Sequence, residues 1–301
     1  MQLALRFLRR FSQRNPFEVL YQISHRTTYT YNDAVILQPH TIRLCPRSNS
    51  WQSIQMFSLQ VTPAPISRSD LIDLDGNSIV KVWFEPIPTE SLDVQILAQI
   101  ATLQSNPFNY LLEPWAVQFP IDYPTSLFHQ LQPYFNETDP IAIQLSQEIA
   151  AATNGNVLNF LNELNQRIYQ SCTYLIRETG NPFPPGITWT QKKGSCRDLT
   201  VLFMAACRSM QLAARFVSGY QEGDADSSER DLHAWAEVYL PGAGWRGYDP
   251  THGLVVSDRH IALAASAVPG YTAPIIGAVT RPGGVQSTMN CDLQIQKLSG
   301  F

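Results

Sequence analysis

The sequence predicts an α+β protein: an N-terminal antiparallel β-sandwich followed by a domain of helices and antiparallel strands. Three patterns predict it. Between Phe17 and Ile100 apolar residues alternate with polar ones at a period of two, the pattern of half-buried strands. Six prolines then interrupt the chain between Asn106 and Pro140. Beyond them apolar residues recur at spacings of three and four, as on a helix face, before alternation resumes.

Composition bounds the possibilities. The 301 residues, 44% hydrophobic and 15% charged, suit one or two packed domains and not a disordered chain. A net charge of -4 lacks the basic excess of a nucleic-acid binder. No uncharged apolar stretch of about 18 residues is present, so no membrane span is expected. Met1–Arg14 mixes Arg6, Arg9, Arg10 and Arg14 with apolar residues. The arginines break the apolar stretch a secretory signal needs, and a frayed basic terminus is preferred over a membrane-surface helix. The five cysteines are odd in number and widely spaced, with no CxxC. That argues against a disulfide framework and a thiolate zinc site, and fits a reducing cytoplasm.

The elements follow in order. Phe17, Val19, Tyr21 and Ile23 open the first strand, and Phe57, Leu59 and Val61 mark another. Asp75-Gly76-Asn77 is a turn signal ahead of Val80, Val82 and Phe84, and Ser91–Ile100 alternates again. Several short strands with turns between them suggest a sandwich over residues 17–105. Residues 106–140 read as a Pro-rich linker and residues 141–301 as a second domain. In it Ile141–Ala152 and Val157–Tyr169 are helical, and Asn181–Gly186 is a Pro-rich loop. Leu199, Leu202, Phe203, Ala206 and Met210 mark an amphipathic helix. Ala214–Tyr220, Leu232–Leu240 and Trp245–Asp249 read as strands, and Val285–Ile295 as a last one.

The chemistry concentrates at Gly194-Ser195-Cys196-Arg197-Asp198, directly before that amphipathic helix. A cysteine at a helix N-terminus meets unpaired backbone N–H groups and the positive end of the dipole, which favours thiolate over thiol. A small buried cysteine capping a core helix is the competing reading. Cys207, on the apolar face of the same helix, reads as packing, as do Cys45, Cys172 and Cys291. A nucleophilic cysteine needs a base, and the base an orienting group. His233 opens one predicted strand and Asp249 ends the next, across Pro241-Gly242-Ala243-Gly244. Strand parity then constrains the turn. A four-residue loop, Pro241–Gly244, would set Asp249 opposite Ala236, on the other face from His233. A three-residue loop, Pro241–Ala243, pairs Leu240 with Gly244 and puts His233 and Asp249 on one face. An odd-length loop or a bulge is therefore expected.

Gly-Ser-Cys-Arg-Asp, His-Ala-Trp-Ala-Glu-Val-Tyr and Gly-Trp-Arg-Gly-Tyr-Asp-Pro-Thr resemble the three ordered motifs of the bacterial transglutaminase-like superfamily. Tyr21–Ile100 resembles the N-terminal β domain of one prokaryotic branch of it. The resemblance runs from about residue 18 to the end. It implies a papain-like core with Cys196 as nucleophile, His233 as base and Asp249 as orienter. The activity it implies is acyl transfer at an amide carbonyl through a thioester, on a protein, peptide or small amide substrate, with no cofactor and no metal. Hydrolysis of a peptide or isopeptide is the close alternative, and a non-catalytic interaction module on the same fold the second. The Cys196 backbone N–H is one oxyanion donor, and Gln191, five residues earlier, is a candidate for the other.

Other features read as structural. Glu222, Asp224, Asp226, Glu229 and Asp231 form an acidic run without EF-hand spacing or its glycine, so a surface loop flanking the site is preferred. His252 and His260 lack the motif context of His233 and are read as structural. Trp235 and Tyr220 are read as core aromatics. His25, His40 and His129 carry no signal.

Overall fold

The computed structural model describes residues 19–177, 180–223, 232–280 and 284–298. The basic Met1–Arg14 stretch, Phe17, and Asp224, Asp226, Glu229 and Asp231 of the acidic run lie outside the described residues.

The first half is two antiparallel sheets facing each other. Its strands are β1 (Val19–Leu37), β2 (His40–Ile42), β3 (Gln52–Thr62), β4 (Ser67–Ile72), β5 (Ser78–Trp83) and β6 (Thr89–Thr102). Alternation does the work expected of it: Tyr21, Ile23, His25 and Thr27 of β1 are buried, while Gln22 and Arg26 are exposed. Between β4 and β5 the Asp73 carboxylate accepts from the backbone N–H groups of Asp75 and Asn77, and Gly76 takes a positive φ of 76°. β1 lies between β6 and the last strand of the chain, with β3 beyond β6; β2, β5 and β4 form the opposing sheet. Tyr21, Ile23, Ile42, Val80, Val82, Val94, Ile96 and Ala98 fill the space between the sheets.

Residues 106–140, read as a linker from their prolines, pack against the rest of the chain. They carry a one-turn helix at Pro114–Ala116 and α1 (Thr125–Leu131), and Ala116, Ile121, Leu131 and Phe135 are buried. The prolines break long elements here without freeing the backbone from contact.

Helices α2 (Pro140–Ala152) and α3 (Val157–Ser171) follow. Asp139 caps α2 by accepting from the N–H groups of Ile141 and Ala142, and also accepts from Gly186 at the start of α4 (Pro185–Gln191). The two-residue strands β7 (Thr173–Tyr174) and β8 (Lys193–Gly194) pair in parallel and lead into α5 (Cys196–Ser209). Leu199, Leu202, Phe203 and Ala206 turn one face of α5 onto a five-stranded antiparallel sheet. That sheet runs β12 (Leu254–Val255), β11 (Gly244–Asp249), β10 (Leu232–Leu240), β9 (Ala214–Gln221), β13 (His260–Ser266). The rings of Phe203 and Tyr248 stack at 5.5 Å between helix and sheet. Trp235 and Tyr220 are buried, as expected of core aromatics.

The chain then returns to its beginning. β14 (Ile275–Ile276) pairs with β2, β15 (Val279–Thr280) with β1, and β16 (Ser287–Leu298) runs along β1 from Tyr31 to Leu20. The last predicted strand thus exists, but its hydrogen bonds go to the N-terminal sheet. The two halves also share β13. Its outer edge is closed, in place of a strand, by two side-chain amides and by the Arg47 backbone N–H, which donates to the Ala262 carbonyl at 2.9 Å. Gln52 accepts from the Ala262 N–H at 2.8 Å and donates to the Ala262 carbonyl at 2.9 Å. Asn77 does the same at Ala265, with both bonds 2.8 Å.

Candidate active site

Cys196 is the first residue of α5, and Asp198 makes that start rigid. Asp198 is fully buried, and its Oδ2 accepts from the Ser195 N–H (2.7 Å) and hydroxyl (2.8 Å), one half of a capping box. Its Oδ1 accepts from the Phe183 N–H at 2.7 Å, and Arg177 approaches both oxygens at 3.3 Å. The Arg177 guanidinium lies on the Phe183 ring, 3.8 Å from its centre. One acidic side chain therefore ties the Pro-rich loop to the turn that presents Cys196. Gly194 is required there: a Cβ would sit 2.7 Å from that of Asp198. Sequence reasoning gave Asp198 no role of its own.

The hairpin has the three-residue loop Pro241–Ala243. Leu240 pairs with Gly244 and Ala236 with Tyr248, so one further step along the register sets Trp235 against Asp249. Gly242 and Gly244 take φ values of 89° and 75°, which only glycine adopts without strain. On the face turned toward α5 lie Ala234, Ala236 and Val238. His233 and Asp249 share the other face, and His233 Nε2 is 2.8 Å from Asp249 Oδ2.

Burial is nearly complete: Cys196 and His233 are each 8% exposed and Asp249 is 0% exposed. Burial alone would lower the His233 pKa. The buried charge of Asp249, its hydrogen bond and the Cys196 side chain overcome that and raise it to about 10. Nε2 is taken by Asp249, which leaves Nδ1 for Cys196. Burial opposes ionisation of Asp249 as well, but His233 and the hydrogen bonds of three histidines hold its carboxyl well below the usual range. Cys207 is the contrast on the same helix, with its thiol pushed well up by burial.

His252 and His260, read as structural, both reach Asp249. His252 Nδ1 is 2.8 Å and His260 Nε2 3.2 Å from the same Oδ2, while Oδ1 accepts from the Thr251 N–H at 3.0 Å. His252 sits three residues after Asp249 in a turn. His260 arrives on β13, which no local pattern places beside β11, because β10 and β9 lie between them. The DPTH spacing was the one signal that could have pointed to His252. Gln191, the proposed second oxyanion donor, is the exposed last residue of α4, followed by the left-handed Lys192 at φ 54°.

Among the described residues, His233, Asp249 and His260 are also a group that could hold a metal ion, with ligand atoms within 4.8 Å of one another. The chemistry of the donors disfavours it. A metal on His260 Nε2 would shift the proton to Nδ1, which is buried and has no acceptor, whereas metal-bound histidines normally donate through their other nitrogen. The arrangement fits a hydrogen-bonded relay: a thiol at a helix start, an imidazole, and a carboxylate fixed on both oxygens. No helix among the described residues is long and apolar enough to cross a membrane.

Known proteins share this architecture. The bacterial transglutaminase-like N-terminal region matches residues 21–101, and the transglutaminase-like superfamily core matches residues 143–250, which include Cys196, His233 and Asp249. The uncharacterized protein Rv2569c of Mycobacterium tuberculosis is 28% identical over 276 residues, covering 86% of this chain and 87% of that protein. The uncharacterized protein ML0607 of Mycobacterium leprae is 23% identical over 268 residues, covering 87% and 94%. The crystal structure of a proposed cysteine protease from Cytophaga hutchinsonii has the same fold, with a TM-score of 0.71 at 21% identity over 94% of this chain and 92% of that one. The chain belongs to the transglutaminase-like superfamily, with the bacterial transglutaminase-like N-terminal region preceding its core.

Proposed function

We propose that the protein is a thiol enzyme that transfers an acyl group from an amide through a thioester. The observation that carries this reading is the buried His233, held between Asp249 and the Cys196 side chain at the first turn of α5. In the proposed cycle the Cys196 sulfur attacks the amide carbonyl, and the oxyanion accepts from the Cys196 backbone N–H, which at the first helical position has no intrahelical acceptor. Gln191 is proposed as the second donor. The C–N bond breaks as His233 gives its proton to the leaving amine, and the acyl group stays on sulfur. An incoming amine or water then attacks the thioester. His233 takes the proton of that nucleophile, and Cys196 is released.

Transamidation and hydrolysis share the first half-reaction. The family supports the first. Hydrolysis of a peptide or isopeptide is the second reading, favoured by the description of the Cytophaga hutchinsonii protein as a proposed protease. The substrate class is a protein, peptide or small amide. Five cysteines without a disulfide suit a cytoplasmic setting. The test is incubation with a fluorescent primary amine and a proteome extract. Labelled conjugates support transamidation, new cleavage products support hydrolysis, and Cys196→Ala should give neither. Neither signal from the unaltered protein would overturn the reading.

A further inference from the structure

We propose that His260 is a positioning residue of the triad: it donates through Nε2 to Asp249 and holds the carboxylate that orients His233. The proposal rests on the thiol-enzyme reading above and adds a residue from a separate strand to it. Asp249 is gripped at both oxygens, Oδ1 by the Thr251 N–H and Oδ2 by histidines. His252 is a weak holder because its side chain is 42% exposed, so water competes for the bond. His260 is buried on β13, with the Trp235 ring edge-on at 5.3 Å. Water does not compete there.

The second nitrogen of His260 makes the argument sharper. Nδ1 is buried with no partner. A side chain needed only for packing would do better as Leu or Phe, which leave no polar atom unpaired. The bond to Asp249 is what offsets that orphan. It also fixes the tautomer, because only a proton on Nε2 lets His260 donate. The charged and titratable groups facing His260 are Asp249, His233 and His252; burial and the two histidines lower its pKa against the pull of Asp249, which favours the neutral ring. His260 thus donates without adding a positive charge beside His233. The result is a carboxylate anchored from the core sheet, pointing one oxygen at His233 Nε2.

The experiment follows alkylation of Cys196 by iodoacetamide against pH in the full chain. The unaltered protein comes first: Cys196 must react well below pH 8, and if it does not, the thiol-enzyme reading fails and not this proposal. Given that reactivity, His260→Met and His260→Gln form the informative pair, unbranched chains of similar length without and with a donor. His260→Met should slow alkylation at pH 6 by about tenfold and move the acid limb of the profile to higher pH, since a loosened Asp249 stabilises the thiolate–imidazolium pair less. His260→Gln should stay within about threefold of the unaltered protein, because its amide reaches the same acceptor. In an Asp249→Asn background His260→Met should cost nothing further. Equal losses from Met and Gln, an unmoved profile in a folded His260→Met, or an undiminished loss in the Asp249→Asn background would each overturn the proposal. Where His260→Met does not fold, His260→Phe replaces it in the same comparisons, and a His260→Gln that loses reactivity while folded is sufficient to reject it.

Discussion

Cys196 and Cys207 share one helix and meet opposite environments. Cys207 is sealed in the core, where burial keeps its thiol protonated. Cys196 stands at the first turn with His233 beside it. Cys196→Ala should therefore abolish turnover with the fold intact, whereas Cys207→Ala should retain turnover and cost about 1 kcal/mol; activity and a thermal melt of both variants check this. Asp249→Asn should keep its shape but replace an acceptor of three histidine N–H groups by a group that also donates, favouring the wrong His233 tautomer. Turnover should fall by on the order of 10²-fold or more. Gln191→Ala, at an exposed position, should leave stability alone and lower turnover about 10²-fold if its amide reaches the oxyanion; an unchanged rate removes it from the site. The residues legible in the sequence were those in ordered local motifs. His260 was not legible, because its contact with Asp249 exists only once the strands are in place, whereas His252 is a local neighbour three residues on that only the DPTH spacing marked.

At the scale of the element, the hairpin shows how far parity can be carried. A three-residue loop followed from the need to put His233 and Asp249 on one face, and the register agrees residue by residue. The three long helices α2, α3 and α5 were legible from their spacing for the same reason: their periodicity is local. The seven-residue α1 and α4 were not, because each lies among prolines that read as linker or loop. The Pro-rich stretch was not, since prolines announce a break in regular structure and say nothing of whether Ile121 or Phe135 finds a core. Strand β9 offers a test of how tightly this sheet is packed. A Cβ on Gly219 would lie 2.3 Å from the Ile261 carbonyl oxygen and 2.4 Å from the Trp235 ring. Gly219→Ala should displace Trp235 and strand β13 together, at a cost of about 2–3 kcal/mol, the upper range for overpacking. Thermal unfolding measures the cost. Cys196 alkylation should slow in the same variant, because β13 carries His260.

For the whole molecule, the sandwich was legible and its last strand's partner was not, because nothing local in Ser287–Leu298 says that it closes on Val19–Leu37. That closure buries His25, which hydrogen-bonds Tyr220 at 2.8 Å and Thr27 at 3.0 Å and so joins the two halves. Burial lowers the His25 pKa from 6.5 to about 4. Between those values the unfolded chain binds a proton that the folded one refuses. Stability is therefore complete above about pH 6.5 and falls as the pH drops toward 4, by up to about 3 kcal/mol from this group. His233, raised to about 10, works in the opposite sense: its contribution is full below pH 6.5 and fades as the pH climbs to 10. Denaturant titrations at pH 7 and 4.5 should show the loss, and His25→Gln should flatten it; an unchanged slope would mean that another group carries the effect. The amide clasps of Gln52 and Asn77 have a consequence of a different kind. A core cut from its N-terminal region would bare the donors and acceptors of Ala262 and Ala265 on an open strand edge, a template for stacking of one copy on the next. Loss of the side-chain amide at position 52 or 77 would then be felt as insolubility before it was felt as lost chemistry.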